Sequence, residues 1–351
     1  MRRVLCSLMA LALLGACAPA APAAPAGPRT LTVMTHDAFA MSAGVKAEFE
    51  KANNVTLQFI KSGDAGAALG KAILAKGQPL ADVFYGIDNT FLSRALTEGI
   101  YEPYNSPVLA DIPDQYKLDP TNNALPVDWG DVCLNYDKAY FQQHALTPPA
   151  SLEDLIKPPY KNLLVVENPA TSSTGLAFLL ATVGHFGDPG YVDFWKALRA
   201  NGVESVDDWT TAYSTEFSGS SGHGPKPIVV SYGSSPPFEV VEAPTPPPPE
   251  PPTAAVVSDG SCFRQIEFVG ILKGTKNLDL AQKWVDFMLS PHFQADMPLQ
   301  MYVFPVNPKA PIDPIFQKFL AIPKQPAVVS PADIAANRDR WIEAWTNAVL
   351  R

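Results

Sequence analysis

Residues 125–138 read L-P-V-D-W-G-D-V-C-L-N-Y-D-K. Apolar and polar residues alternate along the run, which carries two aromatics and a cysteine and lies a little over a third of the way along the chain. The pattern predicts a strand, and its position predicts that this strand leaves one α/β lobe and enters a second. Residues 262–272 (C-F-R-Q-I-E-F-V-G-I-L) have the same character and predict the return crossing. Two lobes joined in this way enclose a cleft, the usual place for a small-molecule site.

On the N-terminal side, residues 29–34, 55–60 and 81–88 read as strands and 42–53 and 90–97 as helices, with a turn at 61–66 leading into a further helix whose core face would be Leu69 and Ile73. This β-α-β-α-β order predicts a parallel sheet with helices packed on it. Ligands of such sheets meet the loops beyond the carboxyl ends of the strands, here residues 35–39, 62–66 and 88–89. On the C-terminal side, residues 163–166 and 228–232 read as strands. A polar turn at 168–175 leads into an apolar helix, and 191–200 and 277–289 read as amphipathic helices. The last helix opens with Ser330 as N-cap and Pro331 as its first residue. Seven of the nine residues 244–252 are proline, a run that enters neither a helix nor a central strand. It predicts a stiff loop inserted in the second lobe, with an interdomain linker as the alternative.

A chain of 351 residues is long enough for two cores, and 47% apolar with 17% charged residues describes a folded globular protein. The net charge is −9 and no stripe of Lys and Arg appears, so nucleic acid is not an expected partner. Arg2 and Arg3 precede an apolar run at 4–14, too short for a stable span but suited to a signal peptide over residues 1–16. Leu14-Gly15-Ala16-Cys17 has the form of a bacterial lipobox, which makes Cys17 the expected lipidation site. An ordinary A-x-A cleavage within 18–24 is the alternative. Residues 17–28 then form a Pro/Ala tether, able to hold a domain roughly 35 Å from a membrane if extended as polyproline II. An extracytoplasmic, membrane-anchored lipoprotein is the expectation. The remaining cysteines, Cys133 and Cys262, would face an oxidising compartment, which predicts a disulfide between them; two separately buried thiols are the alternative.

No catalytic pattern emerges. Residues 66–72 fall short of a phosphate loop, with Ala65 where a glycine is needed and Ala72 where a hydroxyl is needed. Residues 219–222 are not a nucleophile elbow. The histidines (His36, His144, His185, His223 and His292) are scattered, and no Cys/His spacing suits a metal. No enzyme, metal site or cofactor is expected. The candidate loops instead set carboxylates (Asp37, Asp64, Asp88) beside aromatics (Trp209, Tyr232, Phe238, Tyr302), a combination that suits an organic cation. The same residues also read as caps and core.

The blocks T-H-D-A-F (35–39), A-D-V-F-Y-G-I-D-N (81–89), N-P-A-T-S-S-T-G-L (168–176), V-V-S-Y-G-S-S-P (229–236), F-M-L-S-P-H-F-Q (287–294), F-P-V-N (304–307) and P-A-D-I-A-A-N-R-D-R-W-I-E-A-W (331–345), taken in order, resemble the thiamine-binding proteins of bacterial ABC importers. The resemblance implies a type II periplasmic-binding-protein fold. Lobe 1 would comprise 29–128 and 268–351, and lobe 2 would comprise 129–267. It implies a monomeric receptor that closes on thiamine or a thiamine phosphate and delivers it to a membrane permease. Asp64 and Ala65 would contact the ligand through a carboxylate and a backbone N–H, and Thr171 and Ser172 would donate hydrogen bonds. Trp209, Tyr232, Phe238 and Tyr302 would pack on the rings, while His36-Asp37 stand where relatives have an aromatic followed by Asp. Receptors for a polyamine or ferric ion, an extracellular enzyme on the same scaffold, and a surface adhesion protein are the alternatives. A bond between Cys133 and Cys262 would then tie the two crossings near the hinge.

Overall fold

The computed structural model describes residues 27–220, 222–241, 243 and 246–351. The expected signal peptide, the lipidation site at Cys17 and most of the tether lie outside the described residues.

The chain first lays down β1 (Arg29–Thr35), β2 (Val55–Lys61) and β3 (Val83–Asp88), with β1 parallel to both neighbours. Helices Ala43–Asn53 and Ala65–Leu74 connect them, as the alternating pattern requires. Ser42 caps the first by accepting from the Val45 N–H, and Asn54, in the left-handed conformation, ends it. All six residues of β3 are buried, as expected of a strand covered on both faces. After the two-residue β4 (Tyr101–Glu102), the stretch 125–138 forms one long strand, β5 (Leu125–Asp137). β6 (Leu164–Glu167), β7 (Glu204–Val206) and β8 (Ile228–Tyr232) build the second lobe, β6 lying parallel to both others. β9 (Thr253–Val256), β10 (Phe263–Leu272) and β11 (Phe304–Pro305) complete one sheet, whose main path runs β2-β1-β3-β10-β5-β8-β6-β7.

β5 and β10 are the two crossing strands. Residues 263–269 of β10 pair antiparallel with β5, and residues 267–271 pair with β3. The far half of β5, residues 132–136, pairs with β8. The register between β10 and β5 shifts after Glu267, where Glu267 faces Asp128 and Phe268 faces Pro126. Val127 is therefore an extra residue in a bulge, and a bulge is where a strand tolerates a proline lacking an N–H. Cys133 and Cys262 form a disulfide with a Cα–Cα distance of 4.5 Å, joining the crossing strands on the second-lobe side.

Each lobe has an aromatic core. Trp284 meets Phe49 edge-on at 4.9 Å in the first, and Trp195 meets Phe178 at 5.7 Å in the second. The C-terminal segment, expected in lobe 1, also touches the second lobe. Ala327 bridges to Phe263, and helix Pro331–Val349 lays Trp345 against Trp195 at 5.6 Å. Trp341 donates to Asp188 at 3.0 Å. The amphipathic pattern of that helix shows a buried face, but not which lobe covers it. The proline run leads from helix Ser235–Val241 to β9, which pairs with β5; the Lys138 ammonium donates to the Pro251 carbonyl at 2.8 Å.

Candidate functional site

Two of the three loops picked out at the strand ends, 35–39 and 62–66, converge, while Asp88 and Asn89 are not among the lining residues. The segment after β1 and the starts of helices Ala65–Leu74 and Ser173–Phe186 meet Trp209, beyond β7, around an empty space of about 480 Å³. Asp37, Asp64, Asp208 and Glu267 bring carboxyl groups to its wall, and Trp209, Tyr232 and Tyr302 bring rings. His36, Ala38, Ser173, Thr174, Thr210 and Met301 complete it. None of these lining residues is Lys or Arg.

Six of the ten expected contact residues line this space: His36, Asp37, Asp64, Trp209, Tyr232 and Tyr302. The other four stand behind it. The Ala65 N–H is taken by the Asp64 carboxylate at 2.6 Å. The Thr171 hydroxyl turns to the Asp207 carbonyl at 2.7 Å, and Ser172 caps its helix by accepting from the Gly175 N–H. Phe238 packs against the ring of Tyr302 with centroids 3.7 Å apart. Ser173, Thr174, Asp208, Thr210, Glu267, Met301 and Ala38 were not singled out from sequence. The polar turn at 168–175 pointed toward the first two, and an acid within the apolar run of β10 was the available signal for Glu267.

Asp64 joins the lobes. Its Oδ1 accepts from the N–H groups of Ala65 and Ser173, and its Oδ2 from that of Trp209 at 3.1 Å. Each donor opens a helix, where unpaired N–H groups favour a negative charge. Burial pushes the Asp64 carboxyl up, while the Ser172 hydroxyl and these N–H groups pull it back. Beside the clasp, the Gly66 and Ala67 N–H groups donate to the Thr171 carbonyl at 2.9 and 3.2 Å. A Cβ on Gly66 would lie 2.8 Å from the carbonyl oxygens of both Ala170 and Thr171, so only glycine allows this approach. Gly66→Ala is expected to hold the lobes apart, seen as a larger radius of gyration in solution scattering and about tenfold weaker ligand binding.

The rings support one another. Trp209 stacks on Tyr213 with centroids 5.0 Å apart at 12°, and its indole N–H donates to Ser231. Tyr302 presents an edge to Trp209 at 5.5 Å. Tyr302 adopts φ 61°, a left-handed conformation that costs a tyrosine about 1–2 kcal/mol, and the Ser234 hydroxyl donates to its carbonyl. Across the cavity, His36 crosses β3 where Gly86, at φ 104°, has no side chain; a Cβ there would lie 2.2 Å from the imidazole. Burial lowers the His36 pKa to about 4, which leaves a neutral ring against the acids.

The family model described as bacterial extracellular solute-binding protein matches residues 78–325. The thiamine-binding periplasmic protein of Escherichia coli (strain K12) is 31% identical over 329 residues, covering 92% of this chain and 94% of that protein. The thiamine-binding periplasmic protein of Brucella suis biovar 1 (strain 1330) is 29% identical, with 92% of each covered. A solved periplasmic thiamin binding protein superposes with a TM-score of 0.79 at 27% identity, covering 92% of this chain and 97% of that one.

Proposed function

The chain belongs to the bacterial extracellular solute-binding proteins, and from that membership we propose that it captures thiamine between its lobes and hands it to the permease of an importer. One observation carries the choice of ligand: four carboxyl groups and three aromatic rings line the cavity, with no Lys or Arg among the lining residues and His36 neutral. Ring faces and carboxylates both favour a flat organic cation where water is excluded. The same wall disfavours the phosphate of a thiamine ester, which speaks for the free vitamin. The names of the relatives support thiamine as that cation.

Six lining residues form the contact set of this reading: Asp37, Asp64, Trp209, Tyr232 and Tyr302 on the cation, with His36 as a neutral neighbour. Ala65, Thr171, Ser172 and Phe238 act behind them as supports. In the same reading, residues 29–128 and 268–312 move as one lobe, and 129–267 with 313–351 as the other. Anchoring at Cys17 and delivery to a permease belong to the proposal too, on the strength of residues 1–28 and the family.

Titrating the soluble domain with thiamine should quench its tryptophan fluorescence, with spermidine and ferric ion as controls. No response to thiamine at millimolar concentration would overturn the reading. In the same assay Trp209→Ala should weaken binding by about 1–2 kcal/mol, roughly tenfold, through loss of cation–π and stacking contact. Unchanged affinity would remove Trp209 from the site.

A further inference from the structure

Behind the aromatic wall, the crossing strands bring two acids together. Asp128 on β5 and Glu267 on β10 are direct cross-strand partners at the bulge. Both are buried, at 0% and 3% exposure, and neither has a Lys or Arg partner among the described residues. One hydroxyl serves both: Tyr85, from β3, donates to Asp128 at 2.5 Å and reaches Glu267 at 3.3 Å. Glu267 also lines the cavity, and its Oε1 lies 3.6 Å from the His36 Nε2. That Nε2 and the Asp128 Oδ1 are buried without a hydrogen-bond partner among the described residues. Two carboxylates this close cannot both stay ionised away from water, so they hold a proton between them.

We propose that Glu267 is a ligand-recognising residue, and that the Asp128–Glu267 pair releases its shared proton to solvent when a cation enters the cavity. This inference rests on the thiamine reading. A cation beside Glu267 supplies the positive charge the pair lacks, so the second carboxylate can ionise; the balance is one cation taken up for one proton given off. Its position on both crossing strands puts this exchange at the hinge, where ligand charge also bears on how the lobes meet.

Charged and titratable groups surround the pair on each element packed against it, and Glu267→Gln, which keeps them all, tells the pair's proton from theirs. The Arg264 guanidinium, further along β10, is committed to Asp131 at 2.7 and 2.9 Å. His36, from the segment after β1, is held neutral by burial, with smaller opposed effects from Asp37 and Lys61. On β3, burial lifts Asp88 to about 7, and Asp88 is held by Thr90 and the Phe91 N–H. Tyr232, from β8, is pushed further up by burial and the nearby acids, Asp64 among them, and stays protonated. Burial raises Asp128 and Glu267 together. Carboxyls with a raised folded-state pKa stabilise the fold at low pH, and that contribution is lost as pH rises through their titration. Cation binding has the opposite dependence: it tightens with pH and levels off once the pair has ionised.

Calorimetric titration with thiamine at pH 5 to 8.5, in buffers of different ionisation enthalpy, tests this. The wild type should show an enthalpy that depends on the buffer, reporting release of about one proton, and a Kd that tightens by up to about tenfold per pH unit before levelling. Glu267→Gln should bind about 30-fold more weakly at pH 8 but match the wild type near pH 5, with no buffer dependence. A purely structural role for Glu267 would not produce that convergence. If Glu267→Gln does not fold, Tyr85→Phe keeps both acids and removes their donor, and should shift the proton release to higher pH. Binding with a buffer-independent enthalpy and flat pH profile overturns the inference and leaves the thiamine reading standing, as does an unaltered pH slope in Glu267→Gln. No thiamine binding at any pH overturns both.

Discussion

Asp64→Ala is expected to weaken thiamine binding about a hundredfold, near 2.7 kcal/mol, while the melting temperature changes by only a few degrees. The carboxylate accepts from one N–H of its own helix and from two of the other lobe, those of Ser173 and Trp209. Removing it leaves three helix-start N–H groups without an acceptor, each worth about 1–3 kcal/mol if it stays buried. When the lobes separate, water can reach those groups, so the loss falls on the closed arrangement more than on the fold. Asp64→Asn keeps an acceptor oxygen without the charge, so it should lose less, about tenfold. Calorimetry supplies the affinities and scattering the degree of closure. A change below threefold for Asp64→Ala would show that the clasp takes no part in binding.

Removing the disulfide should produce the largest loss of stability. Cys133 and Cys262 are 129 residues apart in sequence, and linking so large a loop restricts the unfolded chain by about 4–5 kcal/mol on the chain-entropy model. Cys133→Ala/Cys262→Ala should therefore unfold at markedly lower urea, with a matching effect of dithiothreitol on the wild type alone. The sulfurs sit where β5 and β10 run side by side, and neither cysteine lines the cavity. Thiamine affinity of the folded double variant should stay within about threefold. A loss of affinity far beyond that would mean that the bond also sets the angle at which the lobes meet.

Much of this was readable from residues alone, for local reasons. Alternation in residues 125–137 and the short apolar run at 228–232 mark strands because both are local patterns of side-chain type. The ligand loops followed from strand order, and the blocks at 35–39 and 229–236 led to His36, Asp37 and Tyr232. What escaped depends on contacts between distant segments. Thr171 and Ser172 have the right chemistry for ligand contact, but the Thr171 hydroxyl goes to the Asp207 carbonyl and the Ser172 hydroxyl caps its own helix. Asp128 and Glu267 are polar positions of the two crossing strands, and their pairing exists only in the register of β5 with β10. β9 was hidden behind the proline run, whose composition says nothing of the strand that follows.

The antiparallel pairing of β3 with β10 also governs when the first lobe can form. Val83 must find Ile271, and Asp88 must find Glu267, across almost two hundred intervening residues. Until β10 has been synthesised, β3 has no neighbour on that side, and the lobe nearest the N-terminus is left with an open edge. Contacts of such range slow folding, because chain closure must precede any gain from pairing. A nascent chain ending short of residue 263 is therefore expected to stay loosely structured and sensitive to protease. For a polypeptide that crosses a membrane before it folds, that delay keeps it threadable until nearly all of it has been made.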